Sequence, residues 1–516
     1  MEPRLNTNGS AGHDLWKVAL YCLLIATGCL MICSKSSPAY PINDWSDANI
    51  FFSMGKGMAH GKVIYRDLYD HKGPLLYGLH ALCYMISPLS FLGVWLLEIL
   101  CFTAFLVSLY QFMRLYKLGR VALMILPLAA ALVAASNSFQ QGDSAEELCL
   151  PLVSIPLYWL MRYLKTKAPG PMPAHTALLS GLLCGCVLWI KFTLLGFHMA
   201  WILIVFGIQV RNRQWKSAWS CILWYVAGIA LATVPWVFYF GFHGALEDWL
   251  GTYFYHNLFL YSGSETAGFV SRLRAMVRSF LTWGLENWGY LGLTVLGLVW
   301  HSNLWTGRRR AQISNSAPWE RSSLWLGLGL LSLGVFIGGK SYPYYGLILY
   351  GMMGNALVLP ALWTERILSI KLTCKSLVSS LCAGLTVLSF ALCLLGSQNV
   401  KTSFLKPRDS TMQYQLAQVI VQTPGATMLN YGFMDAGFYT ASGIVPHVKY
   451  FHQTNVPLDE MLREQIRYID EGLSTYVVTR GKQPKTILEK YERVMTAESP
   501  PDFWYDHVEL YRLKER

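Results

Sequence analysis

Long apolar segments separated by shorter polar stretches fill the chain from Leu15 to Gly396. A helix needs about 20 apolar residues to cross the hydrocarbon core of a bilayer. We predict about eleven membrane-spanning helices: Leu15–Cys33, Ser90–Met113, Val121–Asn137, Glu147–Tyr163, His175–Ile190, Leu194–Val210, Ser217–Phe240, Trp288–Leu304, Leu324–Gly338, Tyr345–Leu362 and Leu377–Gly396. The first segment is long for the apolar core of a signal peptide and lacks an A-x-A cleavage site, so we expect it to remain as a helix.

One apolar segment, Pro74–Ser87 (PLLYGLHALCYMIS), has only 14 residues. This length is typical of an interfacial or re-entrant helix rather than a spanning one. We therefore predict that it lies in the first outer loop. If it crossed the membrane, every later loop would change sides.

The pattern changes after Gly396, where charged residues become frequent and no spanning segment follows. We predict two domains, a transmembrane domain over 1–396 and a soluble domain over 397–516. ATMLNYG, STYVVTRG and HVELYRL have the composition of strands, whereas LDEMLREQIRYIDEG and PKTILEKYERVM have helical spacing. This alternation predicts a small α/β domain with a partly parallel sheet.

Composition supports a polytopic membrane protein, with 53% hydrophobic residues, 14% charged residues and 19 Trp. The net charge of +12 would suggest nucleic acid for a soluble protein. Here the basic residues occupy alternate short loops, and loops rich in Lys and Arg stay cytoplasmic. Loop by loop, these residues are Arg114, Lys117 and Arg120; Arg162, Lys165 and Lys167; Arg211, Arg213 and Lys216; Arg308, Arg309, Arg310 and Arg321; and Arg366, Lys371 and Lys375. We therefore expect a multi-pass cell-membrane protein with a cytoplasmic N-terminus, an extracytoplasmic C-terminal domain and no nucleic-acid partner.

The 12 cysteines all precede Gln398, and no CxxC pair is present. Most lie in or beside apolar segments. They are better interpreted as packing residues than as zinc or redox sites.

The predicted outer face collects most of the unusual polar groups, in the first loop from Asp44 to Tyr77 and in GDSAEE at Gly142–Glu147. Each charge taken alone could be a solvated loop residue. Two such clusters on one face suit group transfer from a lipid phosphate to a hydroxyl. The phosphate leaves as an anion stabilised by Lys or Arg, and an Asp or Glu accepts the hydroxyl proton.

The stretches DLYDHKGPLLY and AEELCLPL, together with the aromatic turn GGKSYPYY, resemble a known family. The sequence is similar to the bacterial relatives of protein O-mannosyltransferases and aminoarabinose transferases, which are GT-C glycosyltransferases (glycosyltransferase 39-like). The resemblance covers most of the membrane part. It implies a GT-C fold, a polyprenyl-phosphate sugar donor and a cell-envelope acceptor.

The resemblance also implies a site. Asp47 matches the family's acidic residue in the first outer loop, which acts as base or binds the acceptor, and Glu146 or Glu147 matches a second acid. Lys72, before the proline, matches the residue expected to hold the donor phosphate. His71 stands where some relatives have an acid, which puts a metal site built on that residue in doubt. A divalent cation, Mg²⁺ or Mn²⁺, is compatible with the acids, but no ligand spacing requires one.

Other candidates have two readings each. Arg66 could bind phosphate with Lys72 and His71, or form an ion pair with Asp67 or Asp70. His256 could contact phosphate or sugar, or belong with its tyrosines to an interfacial aromatic belt. Lys340 and Tyr342 fit the edge of a substrate site. Snorkelling is the commoner explanation for Lys191 at a helix end.

We conclude from the sequence that the chain is an integral membrane glycosyltransferase, a hexosyl- or pentosyltransferase, that moves a sugar from a polyprenyl-phosphate carrier to an extracytoplasmic acceptor. The alternative is a transporter or flippase of lipid-linked sugars. That alternative predicts acids and bases within the spans or internal repeats with broken helices, and we find neither in the sequence.

Overall fold

A computed structural model of the chain describes residues 11–261, 269–302, 317–368, 375–481, 483–499 and 507–515. The part up to Gly396 is helical. Its helices are α1 (Ala11–Cys33), α2 (Ser46–Ala59), α3 (Pro74–Ile86), α4 (Leu92–Arg114), α5 (Gly119–Ala134), α6 (Ala145–Thr166), α7 (Ala174–Lys191), α8 (Gly196–Arg211), α9 (Trp215–Phe242), α10 (Leu246–Leu250), α11 (Phe269–Glu286), α12 (Trp288–His301), α13 (Ala317–Phe336), α14 (Met353–Leu368) and α15 (Lys375–Gly396). A π-helical segment, Gly251–Tyr261, follows α10, and a 3-10 segment, Pro343–Met352, leads into α14.

Each of the eleven predicted spans coincides with a helix over most of its length, although the last two positions of the Trp288–Leu304 segment lie outside the described residues. Among the described helices, six are long and apolar enough to cross a membrane: Leu15–Cys33, Leu92–Arg114, Ala174–Leu194, Trp215–Phe242, Pro343–Leu368 and Ser376–Gly396. The others are shorter or more polar. The membrane part is therefore a helical bundle as predicted, and the number of spans stays a prediction.

Glycines allow α7 and α9 to pack with their backbones in contact. A Cβ atom added to Gly181 would lie 1.9 Å from the carbonyl oxygen of Tyr225, and one on Gly228 would lie 2.1 Å from that of Leu178. Small residues at facing positions are the usual way for apolar helices to approach closely. This contact fixes α7, whose last residue is Lys191.

The first predicted outer loop contains two helices. Helix α2 begins at Ser46, just before Asp47, and most of its side chains are buried. Helix α3 has 13 residues and packs against α2. Gly55 lies at the crossing, where an added Cβ would lie 2.5 Å from the backbone nitrogen of Ala81. The loop is thus a folded unit that holds Asp47 and Lys72 in place.

After Gly396 the chain forms short helices around a four-stranded sheet. The helices are α16 (Gln398–Ser403), α17 (Met412–Ile420), α18 (Phe438–Ser442), α19 (Asp459–Glu471) and α20 (Ile487–Lys490). The strands are β1 (Met428–Asn430), β2 (Tyr476–Thr479), β3 (Tyr491–Glu498) and β4 (His507–Leu513), in the order β1-β2-β4-β3. Only β1 and β2 are parallel. The described sheet is therefore partly parallel, as predicted.

The helix predicted over PKTILEKYERVM is wrong beyond its first turn. Only Ile487–Lys490 is helical, and the chain then continues as β3, which pairs antiparallel with β4. Tyr491 is buried, and Arg493 Nη1 lies 2.6 Å from Glu509 Oε1 on β4. Pairing with a distant strand overrides the local helical spacing.

Candidate functional site

The backbone of Lys72 is held by two buried tyrosines. The Tyr65 hydroxyl donates to the Lys72 carbonyl at 2.6 Å, and the Lys72 N–H donates to the Tyr77 hydroxyl at 2.8 Å. Tyr77 in turn donates to Asp70 Oδ2 at 2.5 Å. The stretch YDHKGPLLY therefore forms one hydrogen-bonded turn that fixes the position of the lysine.

The Lys72 ammonium lies among carboxylates. Burial by itself would lower its pKa, but the negative charges of Asp47 and Asp70 hold the pKa above its ordinary value. The ammonium also lies 5.7 Å from the centroid of the Phe51 ring. Lys72 is thus charged at neutral pH.

Asp47 contacts the aromatic turn that begins at Lys340. The Tyr344 hydroxyl donates to Asp47 Oδ2 at 3.1 Å, and the Trp45 and Tyr344 rings pack edge to face with centroids 5.0 Å apart. The Asp47 side chain is 9% exposed. Asp47 in the first loop and Tyr344, 297 positions later in the chain, are therefore in direct contact.

Glu146 pairs with Lys191, which lies at the end of α7. The Lys191 ammonium donates to Glu146 Oε1 at 2.5 Å and lies 3.8 Å from the centroid of the Tyr345 ring and 5.7 Å from that of Tyr344. Lys191 is 12% exposed. The snorkelling interpretation of Lys191 was therefore wrong, because the ammonium has a buried counter-ion and two aromatic faces.

The second oxygen of the Glu146 carboxylate is unoccupied by the protein. Glu146 Oε2 is buried and has no hydrogen-bond partner among the described residues. A buried, charged acceptor without a donor is costly. It identifies Glu146 Oε2 as an atom that a bound hydroxyl could satisfy.

A further aromatic group extends the contacts from Tyr345. The Tyr261 and Tyr345 hydroxyls are 2.9 Å apart, and Lys340 Nζ lies 3.5 Å from the Tyr261 ring centroid. We call Asp47, Lys72, Glu146, Lys191, Tyr261, Tyr344 and Tyr345 the central cluster. Contacts through these tyrosines and Lys191 thus connect Asp47, Glu146 and Lys340. Lys72 is joined to them by the charges of Asp47 and Glu146 that act on it.

The His71 ring packs on the Tyr261 ring, with centroids 4.8 Å apart, and its Nδ1 lies 2.8 Å from Asn257 Oδ1. Because that oxygen can only accept, Nδ1 of His71 carries a proton. Burial and the neighbouring Lys72 lower the pKa of His71 to about 3. His71 is therefore neutral at pH 7 and adds no positive charge for a phosphate.

Three other predicted site residues, Arg66, His256 and Tyr342, are not members of the central cluster. Arg66 is exposed and pairs with Asp67, with Nε 2.9 Å from Oδ1, so the ion-pair interpretation describes it better than phosphate binding. His256 Nδ1 lies 2.9 Å from the Tyr69 hydroxyl. The Tyr342 ring packs against Tyr345 with centroids 5.2 Å apart, at the edge of the central cluster.

Glu147 belongs to a different group of buried acids. Its Oε2 and Glu98 Oε1 both accept from the Asp143 N–H, at 2.9 and 2.8 Å. The Asp143 carboxylate in turn pairs with His80 Nε2 at 3.0 Å. Burial raises the pKa of Asp143, and the charge of Asp143 raises that of His80 although burial opposes it. We call Glu98, Asp143, Glu147 and His80 the acid cluster.

Glu98 was missed in the sequence. It lies in the second turn of α4, inside an apolar span, and is fully buried. The statement that the spans contain no acid is therefore wrong. An isolated acid within an apolar segment was the signal that could have found it.

No group of three or more His, Cys, Asp or Glu side chains able to hold a metal ion is present within the described ranges. In the central cluster, Asp47 accepts from a tyrosine and Glu146 from a lysine, so neither carboxylate is directed at the other. The residues do not form a ligand set, and the divalent cation stays an expectation from the sequence.

The fold of the helical part and the appended sheet is that of the solved structures of ArnT, which confirms the sequence resemblance at the level of the fold. In particular, the chain is similar to ArnT from Cupriavidus metallidurans in the apo state, with a TM-score of 0.60 and 13% sequence identity over 96% of this chain and 98% of that chain. For the same protein bound to undecaprenyl phosphate the TM-score is 0.56, with 14% identity over 97% and 98% of the two chains.

A weaker similarity relates the chain to the archaeal oligosaccharyltransferase AglB from Archaeoglobus fulgidus, with a TM-score of 0.48 and 12% identity over 90% of this chain and 69% of that chain. Comparison with protein-family models finds no match, and comparison with curated proteins finds none either. At these identities the similarity to ArnT establishes the fold.

Proposed function

We propose that this chain is an integral membrane glycosyltransferase that transfers a sugar from a polyprenyl-phosphate donor to an acceptor hydroxyl of the cell envelope. The single observation that carries the proposal is the position of two lysines among carboxylates: the charges of Asp47 and Asp70 act on Lys72, and Lys191 pairs with Glu146. The fold shared with a protein crystallised with undecaprenyl phosphate supports the choice of donor.

The reaction needs an anion site and a base. Lys72 binds and stabilises the phosphate that leaves when the bond between the anomeric carbon and the phosphate oxygen breaks. The acceptor oxygen forms the new bond to the anomeric carbon, and its proton passes to Asp47. A single displacement of this kind inverts the anomeric configuration.

Glu146 rather than Glu147 is the supporting acid in this proposal. Each of the two residues has one buried carboxylate oxygen without a partner among the described residues. Glu146, however, contacts Lys191 in the central cluster, whereas Glu147 accepts from the Asp143 N–H in the acid cluster. Lys340 and Tyr342, at the edge of the central cluster, would contact substrate, and His256 would reach it only through Tyr69.

The transporter alternative is not favoured. Glu98 is a buried acid within a span, as a transporter would require, but it accepts from the Ser34 hydroxyl at 2.9 Å and from the Asp143 N–H. These contacts give it a structural explanation. The transferase proposal also accounts for the central cluster, which a carrier path would not require.

The proposal is tested by transfer of label from radiolabelled undecaprenyl-phosphate sugars to a cell-envelope extract, using purified protein in detergent. Asp47→Asn and Lys72→Ala should each lower transfer by about 10²-fold or more, since each removes a group that acts in the transition state. Lys62→Ala, in the same loop, is the matched control and should retain transfer. Normal transfer by both site variants would overturn the assignment.

The proposed orientation places the N-terminus in the cytoplasm and residues 397–516 outside. Alkaline phosphatase fused after residue 481 should be active, and the same enzyme inserted between residues 114 and 119 should be inactive, because it folds only in an oxidising compartment. The reverse pattern would overturn the orientation and with it the outer placement of the site.

A further inference from the structure

The C-terminal segment reaches the first loop through its backbone. The Tyr69 N–H donates to the Lys449 carbonyl at 2.9 Å, and the Tyr69 and Tyr450 rings pack with centroids 5.4 Å apart. Two positions further on is His452. This residue is 1% exposed, although it belongs to a polar loop.

The backbone around His452 is fixed on both sides. The Asn430 N–H donates to the Phe451 carbonyl at 3.0 Å, and the Gln453 N–H donates to the Phe433 carbonyl at 3.0 Å. His452 itself packs on the Phe451 ring, with centroids 4.3 Å apart. The position of its imidazole is therefore set by the sheet region and does not depend on a ligand.

The two ring nitrogens of His452 differ in their contacts: Nδ1 has a hydrogen-bond partner, and Nε2 has none among the described residues. Nδ1 lies 3.3 Å from the Gln453 carbonyl, and the Tyr69 backbone also interacts with the ring. Nε2 is buried and makes no hydrogen bond of good geometry with the described residues. His198 Nε2 and His447 Nδ1 also lack a partner among the described residues. It is therefore the position of His452 in the segment that packs on Tyr69 that points to a group supplied from outside the protein.

The imidazole lies on the Lys72 side of the central cluster. The charges of Asp70 and Asp47 act on His452, and the Tyr69 carbonyl also lies beside its ring. The same two carboxylates act on Lys72. Burial nevertheless lowers the pKa of His452 to about 4, so the ring is neutral at pH 7 and cannot bind phosphate as a cation.

We infer that His452 is a sugar-binding residue, whose Nε2 forms a hydrogen bond with a hydroxyl of the donor sugar attached to the phosphate at Lys72. The inference rests on the proposed function. The sugar is preferred to the acceptor because it is bonded directly to the phosphate, and His452 shares its charged neighbours with the phosphate-binding lysine. The C-terminal segment thereby contributes a side chain to the site.

Two lipids test the inference: undecaprenyl phosphate without a sugar, and a panel of undecaprenyl-phosphate hexoses and pentoses. Equilibrium binding to purified protein in detergent is measured for wild type, His452→Phe and His452→Gln. We expect His452→Phe to bind the bare lipid like wild type and to bind the preferred glycosylated lipid about tenfold more weakly, the effect of one lost hydrogen bond. His452→Gln, whose carbonyl oxygen can accept, should recover part of the difference.

The control is His447→Gln in the same segment, where Nε2 already contacts the Leu473 carbonyl at 3.2 Å. It should leave both affinities unchanged. Equal binding of the glycosylated lipid by wild type and His452→Phe overturns the inference while leaving the proposed function standing. Wild type that fails to bind even the bare lipid overturns the proposed function and the inference together. Normal binding of the bare lipid by the variants shows that they are folded.

Discussion

Lys191 Nζ lies 2.5 Å from Glu146 Oε1, and the two side chains are 12% and 1% exposed. A buried ion pair is expensive to break because the remaining charge has no counter-ion. The pair also joins the end of α7 to the start of α6. It therefore links the stability of the bundle to the geometry of the central cluster.

The first prediction concerns this pair. Lys191→Met should lower the free energy of unfolding by about 3–5 kcal/mol, because the Glu146 carboxylate stays buried and unpaired. The double variant Glu146→Leu/Lys191→Met should recover most of that loss and still fail to transfer sugar. Thermal unfolding in detergent and the transfer assay check the two parts. A double variant as unstable as the single one would contradict the ion-pair explanation.

The second prediction concerns the hydrogen bond from Tyr344 to Asp47. Tyr344→Phe should lower transfer by about 10-fold to 100-fold, since a hydrogen bond to a charged acceptor contributes about 1.5–3 kcal/mol. The matched control is Tyr116→Phe, which removes a buried hydroxyl that has no hydrogen-bond partner in the described part of the protein. Equal activities of the two variants would show that the bond does not position Asp47.

The third prediction concerns Lys56, which ties α2 to the C-terminal segment. Its ammonium is fully buried and donates to the carbonyls of Tyr439 at 2.7 Å and Ile444 at 3.1 Å. Burial lowers the pKa of Lys56 to about 7, although the charge of Asp435 opposes the shift. The unfolded chain therefore binds more protons than the native one between about pH 7 and the ordinary lysine pKa near 10.4.

Stability should then rise with pH in this window, by up to about 1.4 kcal/mol per pH unit from this group. Lys56→Met should remove that contribution. Unfolding of both proteins at pH 7 and pH 9 isolates it, because other titrating groups cancel in the difference. The same pH slope in both proteins would contradict the lowered pKa.

The fourth prediction concerns Asp143, which has a backbone φ of +62° and pairs with His80. Asp143→Asn keeps a residue that tolerates this left-handed conformation but removes the buried charge, so it should cost about 3–5 kcal/mol. Asp143→Ala should cost about 1–2 kcal/mol more, because alanine is strained there. Thermal unfolding of the two variants separates the charge from the backbone effect; equal losses would exclude the strain.

The helices of the membrane part were predictable because apolar length is a local property of the sequence. The pairing of Lys191 with Glu146 was not, since the two residues are 45 positions apart and meet only when α6 packs on α7. The strand β3 was missed for the same reason, because it depends on β4. Glu98 differs, since its isolation in α4 was visible in the sequence.

The site was predicted in part. Asp47 and Lys72 lie in one loop, and their charged character was apparent from the sequence alone. Which of Glu146 and Glu147 faces Lys191 depends on the turn at Asp143 and on the acids that hold it. The role inferred for His452 could not be foreseen, because nothing local distinguishes a buried histidine from an exposed one.

The contact of Lys56 with Tyr439 joins residues 383 positions apart in the chain. Helix α2, which holds Asp47, is therefore synthesised and inserted long before the segment that covers its far end exists. The sheet behind that segment needs β4 between β2 and β3, so it closes only after residues 507–513 have been translated. The chain would thus remain without the complete candidate site during most of its own synthesis.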